Sequence, residues 1–222
     1  MHAPARGANA CGHTTYREVA PMHWDALVAR ATALAVPGHR RILGIAGGPG
    51  AGKSTLARRL VDALGWRAAL VGMDGFHLAQ AELERLGRAD RKGAPDTFDA
   101  DGYVHLLRRL LANTDPVVYA PEFRREIEEP IANAVPIGCD VPLVVTEGNY
   151  LLLWPGVRLL LADAWFVDPG DDVRRDRLRA RHMAYGRTPA EATARTGGSD
   201  ERNARLVAGT TSLANLVVRK VD

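Results

Sequence analysis

Eight residues, Gly47-Gly48-Pro49-Gly50-Ala51-Gly52-Lys53-Ser54, constrain this chain more than any other stretch. They read G-x-x-x-x-G-K-S, a P-loop, between an apolar run (Ile42 to Ala46) and a helix-like run (Lys53 to Val61). Strand, glycine-rich loop and helix are the context in which this motif cradles phosphates. Glycines let the backbone wrap an anion and aim its N–H groups at it. The helix N-terminus adds the positive end of a dipole. Lys53 supplies a mobile cation for the β- and γ-phosphates, and Ser54 a hydroxyl for Mg²⁺. The bland alternative is a glycine-rich turn that happens to hold a lysine, but the chain has only three lysines, Lys53, Lys92 and Lys220. The expected nucleotide contacts are Gly47, Gly48, Gly50, Ala51, Gly52, Lys53, Ser54 and Thr55.

Such a motif sits in α/β domains, and 222 residues fit one of them with a small lid. The net charge of +3 rests almost wholly on arginine, which carries no reading of nucleic-acid binding. Cys11 and Cys139 lie far apart without metal-like spacing, which suggests a reducing compartment. The first residues lack a signal-peptide layout, and no apolar run approaches a membrane span. The expectation is a soluble, cytoplasmic protein, with residues 1–22 as a loose tail and 23–222 as a single P-loop domain.

Along the chain, Trp24 to about Val36 repeats its apolar positions at helical spacing and stops at Pro37-Gly38. Ala68 to Met73 reads as a second buried strand ending at Asp74-Gly75-Phe76-His77. Ligands gather at the carboxyl ends of strands in open α/β sheets. Asp74 is therefore expected as a general base for an attacking hydroxyl, against the alternative of an aspartate capping the next turn. His77 is either a substrate contact or a packed histidine. Residues 79–100 are polar and long for a connection. Asp96 and Asp99 could hold sugar-type hydroxyls and Arg91 or Lys92 an anion, with Phe98 beside them; a solvated turn is the alternative. Asp101 is a candidate N-cap for a helix to Ala112.

Val117 to Arg125, containing Tyr119 and Pro121, reads as a loop, because proline breaks regularity. Val141 to Thr146 is an apolar strand ending in Glu147, the Walker B pattern, whose carboxylate holds Mg²⁺ directly or through water; capping is its alternative role. Leu151 to Leu161 reads as a helix interrupted near Pro155-Gly156. Trp165 to Asp168 is a short strand. Asp171 to Tyr185 is a charged helix with Arg174, Arg177 and Arg181 on one face. Interleaved aspartates favour a salt-bridged surface; the functional reading is a lid, about residues 171–198, that brings arginines onto a transferring phosphoryl group. Gly197-Gly198 reads as a hinge, Ser199 or Asp200 as a cap for the next helix, and Leu216 to Val218 as a closing strand.

Taken in order, GGPGAGKS, MDGFH, RKGAPDTFD, YAPEF, EGNYLLLW and RLRARHMAYGRTPAEA resemble the phosphoribulokinase/uridine kinase superfamily of P-loop small-molecule kinases. Within it the chain resembles the bacterial nucleoside/nucleotide-kinase-like branch often labelled fructose-transport kinases, with type I pantothenate kinases as cousins. The resemblance runs from about residue 23 to the end. It implies a three-layer α/β fold with a mostly parallel sheet, a short arginine-bearing lid and an acceptor-binding insertion. The implied reaction moves the γ-phosphoryl group of ATP, with Mg²⁺, to a hydroxyl of a small metabolite such as a nucleoside, a sugar or a pantothenate-like alcohol. Lys53 and Ser54 match the phosphate and metal pair, Asp74 the base, Glu147 the acid near the metal, Asp99 the acceptor segment, and Arg177 and Arg181 the lid. The resemblance alone makes a homodimer plausible. Two departures stand out. Phe123-Arg124-Arg125 replaces a Phe-Asp-Arg, and Arg195-Thr196 stand where a tryptophan is expected.

A nucleotide-dependent regulator without acceptor chemistry fits the P-loop and Glu147 equally well, but leaves Asp74 and residues 88–99 without a purpose. A GTPase would need an Asn-Lys-x-Asp motif, which the chain lacks. A nucleic-acid-dependent ATPase would need a broader basic patch.

Overall fold

The computed structural model describes residues 18–221. Six parallel strands form one sheet in the order β1 (Glu18–Met22), β8 (Leu216–Val221), β7 (Asp163–Val167), β2 (Arg41–Ala46), β6 (Leu143–Gly148) and β3 (Ala68–Gly72). Every neighbouring pair is parallel. Parallel neighbours need crossover connections, and these are supplied by the helices α1 (Trp24–Leu34), α2 (Lys53–Leu64), α4 (Ala100–Ala112) and α6 (Asp171–Ala184). The order reverses on either side of β2, so the loop after β2 opens at a topological switch point in the middle of the sheet.

Successive side chains of β2 point to opposite faces and bury on both. Ile42 and Ala46 join a cluster with Val144, Phe166, Tyr103, Leu107 and Leu110. Leu43 and Ile45 join the other, with Leu27 of α1, Leu56 and Leu60 of α2, Val145 and Trp165. Helices on both faces of a buried parallel sheet make the expected three-layer α/β architecture.

Several expectations change. Of the tail expected over 1–22, residues 18–22 form strand β1, paired in parallel with β8, and the first 17 residues lie outside the described ones. Val117–Arg124 is not a loop but strand β4, paired antiparallel with β5 (Glu129–Gly138). Pro121 is tolerated because the register shifts between Ala120 and Glu122, where no ladder hydrogen bond is lost to it. Asp99, not Asp101, caps α4, accepting from Gly102 N–H at 2.8 Å. Gly197-Gly198 is no turn: Thr196–Asp200 winds as one π-helical segment joining α7 (Pro189–Arg195) to α8 (Glu201–Ala208), and no side chain caps α8. The stretch after Tyr150 is helical only over α5 (Pro155–Arg158).

The hairpin is seated on the loop after β3. A Cβ on Gly75 would lie 2.5 Å from the Pro121 carbonyl oxygen. Gly75→Ala therefore pushes β4 away from Asp74. We expect a loss of about 1–3 kcal/mol, the usual cost of overpacking, read as a lowered thermal unfolding midpoint together with reduced turnover. An unchanged midpoint would mean that the contact is not as close as drawn.

Candidate active site

The P-loop folds as its glycines require. Gly50 (φ 79°) and Gly52 (φ 98°) occupy left-handed backbone, and Gly50 lies so close to α6 that a Cβ would sit 2.6 Å from the Arg174 carbonyl oxygen. Lys53 opens α2 and is 8% exposed. Its ammonium donates to the Gly48 carbonyl at 3.1 Å and to Asn149 Oδ1 at 2.8 Å. Burial pulls its pKa down, against the upward pull of Glu147 and Asp74. An anion in the loop would relieve that burial cost.

Ser54 Oγ donates to Glu147 Oε1 at 2.9 Å, which joins the two residues expected to meet a metal and sets aside capping as the role of Glu147. Burial first, and then the neighbouring Asp74, push the Glu147 carboxyl up. A cation beside this carboxylate and hydroxyl would reverse that pressure. No cluster of three His, Cys, Asp or Glu side chains suited to a metal occurs among the described residues. One hydroxyl and one carboxylate, Ser54 and Glu147, fit Mg²⁺, which keeps waters and takes phosphate oxygens alongside one or two protein ligands.

Asp74 sits in the 3₁₀ turn Met73–Phe76, at the carboxyl end of β3. Its carboxylate caps nothing; it pairs with Arg125 Nη2 at 3.2 Å. Arg125 comes from the tip of the hairpin, which overhangs the P-loop. Between them lies an open cleft of about 830 Å³, lined by the loop, by the Glu122 to Ile127 tip and by Arg177, Arg181 and Tyr185 of the α6 region. Lys53, Arg58, Arg124, Arg125, Arg177 and Arg181 put six cations on its wall, against the carboxylates of Glu122 and Glu126.

The arginines of the charged helix divide between two faces of α6. Arg175 and Arg179 make the surface salt bridges, with Asp171, Asp172 and Asp176. Arg177 turns inward, its Nη1 donating to the Ala51 carbonyl at 3.2 Å. Arg181 lines the cleft with no ion pair among the described residues, and burial and Arg125 lower its pKa. Arg174 is buried against Glu201 Oε2 at 2.6 Å and fixes α6 to α8 beneath the P-loop.

Arg175 and Arg174 hold the Glu201 carboxyl down at about 2. A carboxylate whose folded pKa is depressed contributes stability above its unfolded pKa and loses it as pH falls through the folded value. Glu201→Gln is therefore expected to lose about 1–3 kcal/mol at pH 7. The gap in unfolding midpoint from the parent should narrow below pH 4.5 and close near pH 2. A gap independent of pH would show that the pair is not ionic.

The segment 79–100 departs from its expected role. Arg91 pairs with Asp96 at 2.8 Å, and Arg88 lies 3.6 Å from the same carboxylate. Asp99 is spent on the cap of α4, and Tyr119 is exposed on β4. Phe98 packs against His77, Tyr150 and Trp154. His77 is stacked between Phe98 and Phe123, and its Nδ1–H donates to the Asp74 carbonyl at 2.8 Å. Burial lowers its pKa, so it stays neutral at pH 7. Neither these seven side chains (His77, Arg91, Lys92, Asp96, Phe98, Asp99, Tyr119) nor Asp74 lines the cleft; Asp74 meets it through its pair with Arg125. The segment braces the hairpin instead. Lys92 donates to the Glu128 carbonyl, and Gln80 N–H donates to Glu129 Oε1 at 3.0 Å.

Two residues in the site escaped the sequence reading. Asn149 follows Glu147 by two positions, and its contact with Lys53 has no sequence signature. Arg125 was visible beside Arg124, but only a folded hairpin shows which of the two reaches Asp74.

A phosphate loop at the switch point, a Ser–Glu pair beside it, and a carboxylate paired with an arginine of the cleft wall fit a small-molecule P-loop kinase. The chain is 34% identical over 199 residues to a protein of Schizosaccharomyces pombe named a "putative uridine kinase", across 83% of this chain and 85% of that one. It is 34% identical over 131 residues to a pantothenate kinase of Limosilactobacillus reuteri, across 56% of this chain and 42% of the kinase. The crystal structure of a "putative fructose transport system kinase" from Silicibacter sp. superposes with a TM-score of 0.78 at 33% identity, covering 86% of this chain and 97% of that one. No protein-family model matches the chain. The chain belongs to the phosphoribulokinase/uridine kinase superfamily and is a phosphotransferase with an alcohol group as acceptor. No helix among the described residues is long and apolar enough to cross a membrane.

Proposed function

We propose that the protein transfers the γ-phosphoryl group of ATP to a hydroxyl of a small metabolite in the cleft between the P-loop and the hairpin. The observation that carries this reading is the Asp74–Arg125 pair, whose arginine lines the cleft that the P-loop walls on its other side. An ATP-binding regulator would need no carboxylate there.

Asp74 accepts the hydroxyl proton as the acceptor oxygen bonds to the γ-phosphorus. The bond from that phosphorus to the β–γ bridging oxygen breaks, and ADP leaves with the electron pair. Lys53 follows the β- and γ-phosphates, the P-loop N–H groups hold the nucleotide, and Arg177 and Arg181 neutralise charge on the group in flight. Ser54 and Glu147 would hold Mg²⁺, which when bound offsets charge on the phosphate oxygens. Closure of α6 and the hairpin tip excludes water, so that phosphoryl transfer wins over hydrolysis.

The test is transfer of label from γ-labelled ATP with Mg²⁺ across a panel of nucleosides, sugars and small hydroxy acids. The expected result is a phosphorylated product from one class and only slow hydrolysis elsewhere. Nucleotide binding with no transfer to any alcohol would favour the regulator.

A further inference from the structure

We infer that the acceptor is an anionic alcohol, a small molecule bearing a carboxylate or phosphate near its reactive hydroxyl, and that Arg125 is the residue that selects it. This inference rests on the kinase reading above and narrows its acceptor to a chemical class.

Arg125 Nη2 lies 3.2 Å from Asp74 Oδ2, so a hydroxyl delivered to that carboxylate arrives beside a guanidinium. Both side chains of the pair are about one-third exposed, so the guanidinium is open to a ligand from the cleft. Arg125 is also held in place. Its guanidinium carbon lies 6.0 Å from the centre of the Phe123 ring, and Phe123 stacks on His77. Lys92 and Gln80 brace the hairpin that carries it.

The charge balance gives the second argument. The nucleotide already has cations of its own on the P-loop and α6 walls: Lys53, Arg177 and Arg181. The hairpin wall adds Arg124 and Arg125 beside the carboxylates of Glu122 and Glu126, and Arg124 has no ion pair among the described residues. Arg125 lies near enough to Arg181 to depress its pKa, a repulsion that an anion between the two walls would relieve. A carboxylate or phosphate accepts two parallel N–H bonds from a guanidinium, a geometry that lysine cannot match.

Asp96 and Asp99, the carboxylates expected to read the vicinal hydroxyls of a neutral sugar, are occupied elsewhere, Asp96 by Arg91 and Asp99 by the N-terminus of α4.

Matched pairs of alcohols test the inference: glycerate against glycerol, pantothenate against pantothenol, and ribose 5-phosphate against ribose. The parent protein should favour the charged member of the accepted pair by about tenfold or more in kcat/KM, the scale of one charge-assisted hydrogen bond. Arg125→Gln should erase that preference by raising the KM of the charged acceptor and not that of ATP. Arg125→Lys should restore part of it. Equal or better use of the neutral members would overturn the inference and leave the kinase standing, as would a loss in Arg125→Gln that falls on ATP. Should no alcohol be phosphorylated, calorimetric titration of the same pairs into protein loaded with ADP and Mg²⁺ decides. Tighter binding of a charged member that Arg125→Gln abolishes supports the inference, and any other result overturns it.

Discussion

Lys53→Met is expected to leave a folded protein whose phosphoryl transfer is reduced by about 10³-fold or more, the scale on which a cation positioned at the transferring group acts. The side chain is 8% exposed, and burial already works against its charge. Methionine fills nearly the same volume without a charge to desolvate, so the core should tolerate it. The cost falls on neighbours. Asn149 Oδ1 and the Gly48 carbonyl lose their donor, and Glu147, already pushed up by burial, loses a cation that holds it down. The Asn149 amide is half-buried and regains water while the Gly48 carbonyl stays buried, so the unfolding midpoint should fall by a few degrees. Catalysis has no such substitute, because no other lysine lines the cleft. Circular dichroism on heating and single-turnover transfer separate the two effects. Near-parent turnover in a folded Lys53→Met protein would remove the P-loop from the chemistry.

How much of this was legible beforehand depends on what each residue had to do alone. The β2–loop–α2 unit can be read directly because its chemistry is local: Gly50 and Gly52 need left-handed backbone, Lys53 needs a short reach, and Ser54 needs the first turn of a helix. The same holds for Glu147, whose apolar strand announces the end of β6. Non-local pairing was hidden. Pro121 argued for a loop because a sequence cannot reveal that the register shifts at that residue. Asp99 and Asp101 were equivalent candidates for the cap of α4, and only the turn geometry after Phe98 chose Asp99. Gly197-Gly198 signalled a hinge by composition, yet helices on both sides carry the chain through as a π-helical turn.

The acceptor side was the least legible for a related reason. Arg91, Lys92, Asp96 and Asp99 are the residue types that bind hydroxyls and anions, and the same types brace a hairpin. Their partners decide between the two roles. Each is satisfied within the protein, by Asp96, the Glu128 carbonyl, Arg91 and Gly102 N–H in turn. On the reading proposed above, the specificity of this chain rests on the hairpin that the segment holds up. The substitution of Arg124 for an expected aspartate is part of the same shift, because it removes an acceptor-facing carboxylate and leaves two adjacent guanidinium groups on the cleft wall.

Asp74→Asn then separates binding from chemistry. The amide keeps the shape of the carboxylate and can still accept from Arg125, so the turn Met73–Phe76 and the seat of the hairpin on Gly75 should survive. What it loses is a base. We expect kcat to fall by about 10²–10⁴-fold, the range for removing a general base, while the KM for ATP stays within about twofold, because the P-loop is untouched and twofold is only about 0.4 kcal/mol. The KM for a charged acceptor should fall if it moves at all, since Arg125 is no longer neutralised by a carboxylate and its full charge is available to the ligand. These three readouts come from one steady-state experiment with ATP and acceptor varied in turn. A change confined to the KM for ATP would place Asp74 at the nucleotide. A large drop in kcat with a weakened charged acceptor would mean that the Asp74–Arg125 pair holds the guanidinium in place, and that Asp74 both positions Arg125 and takes the proton.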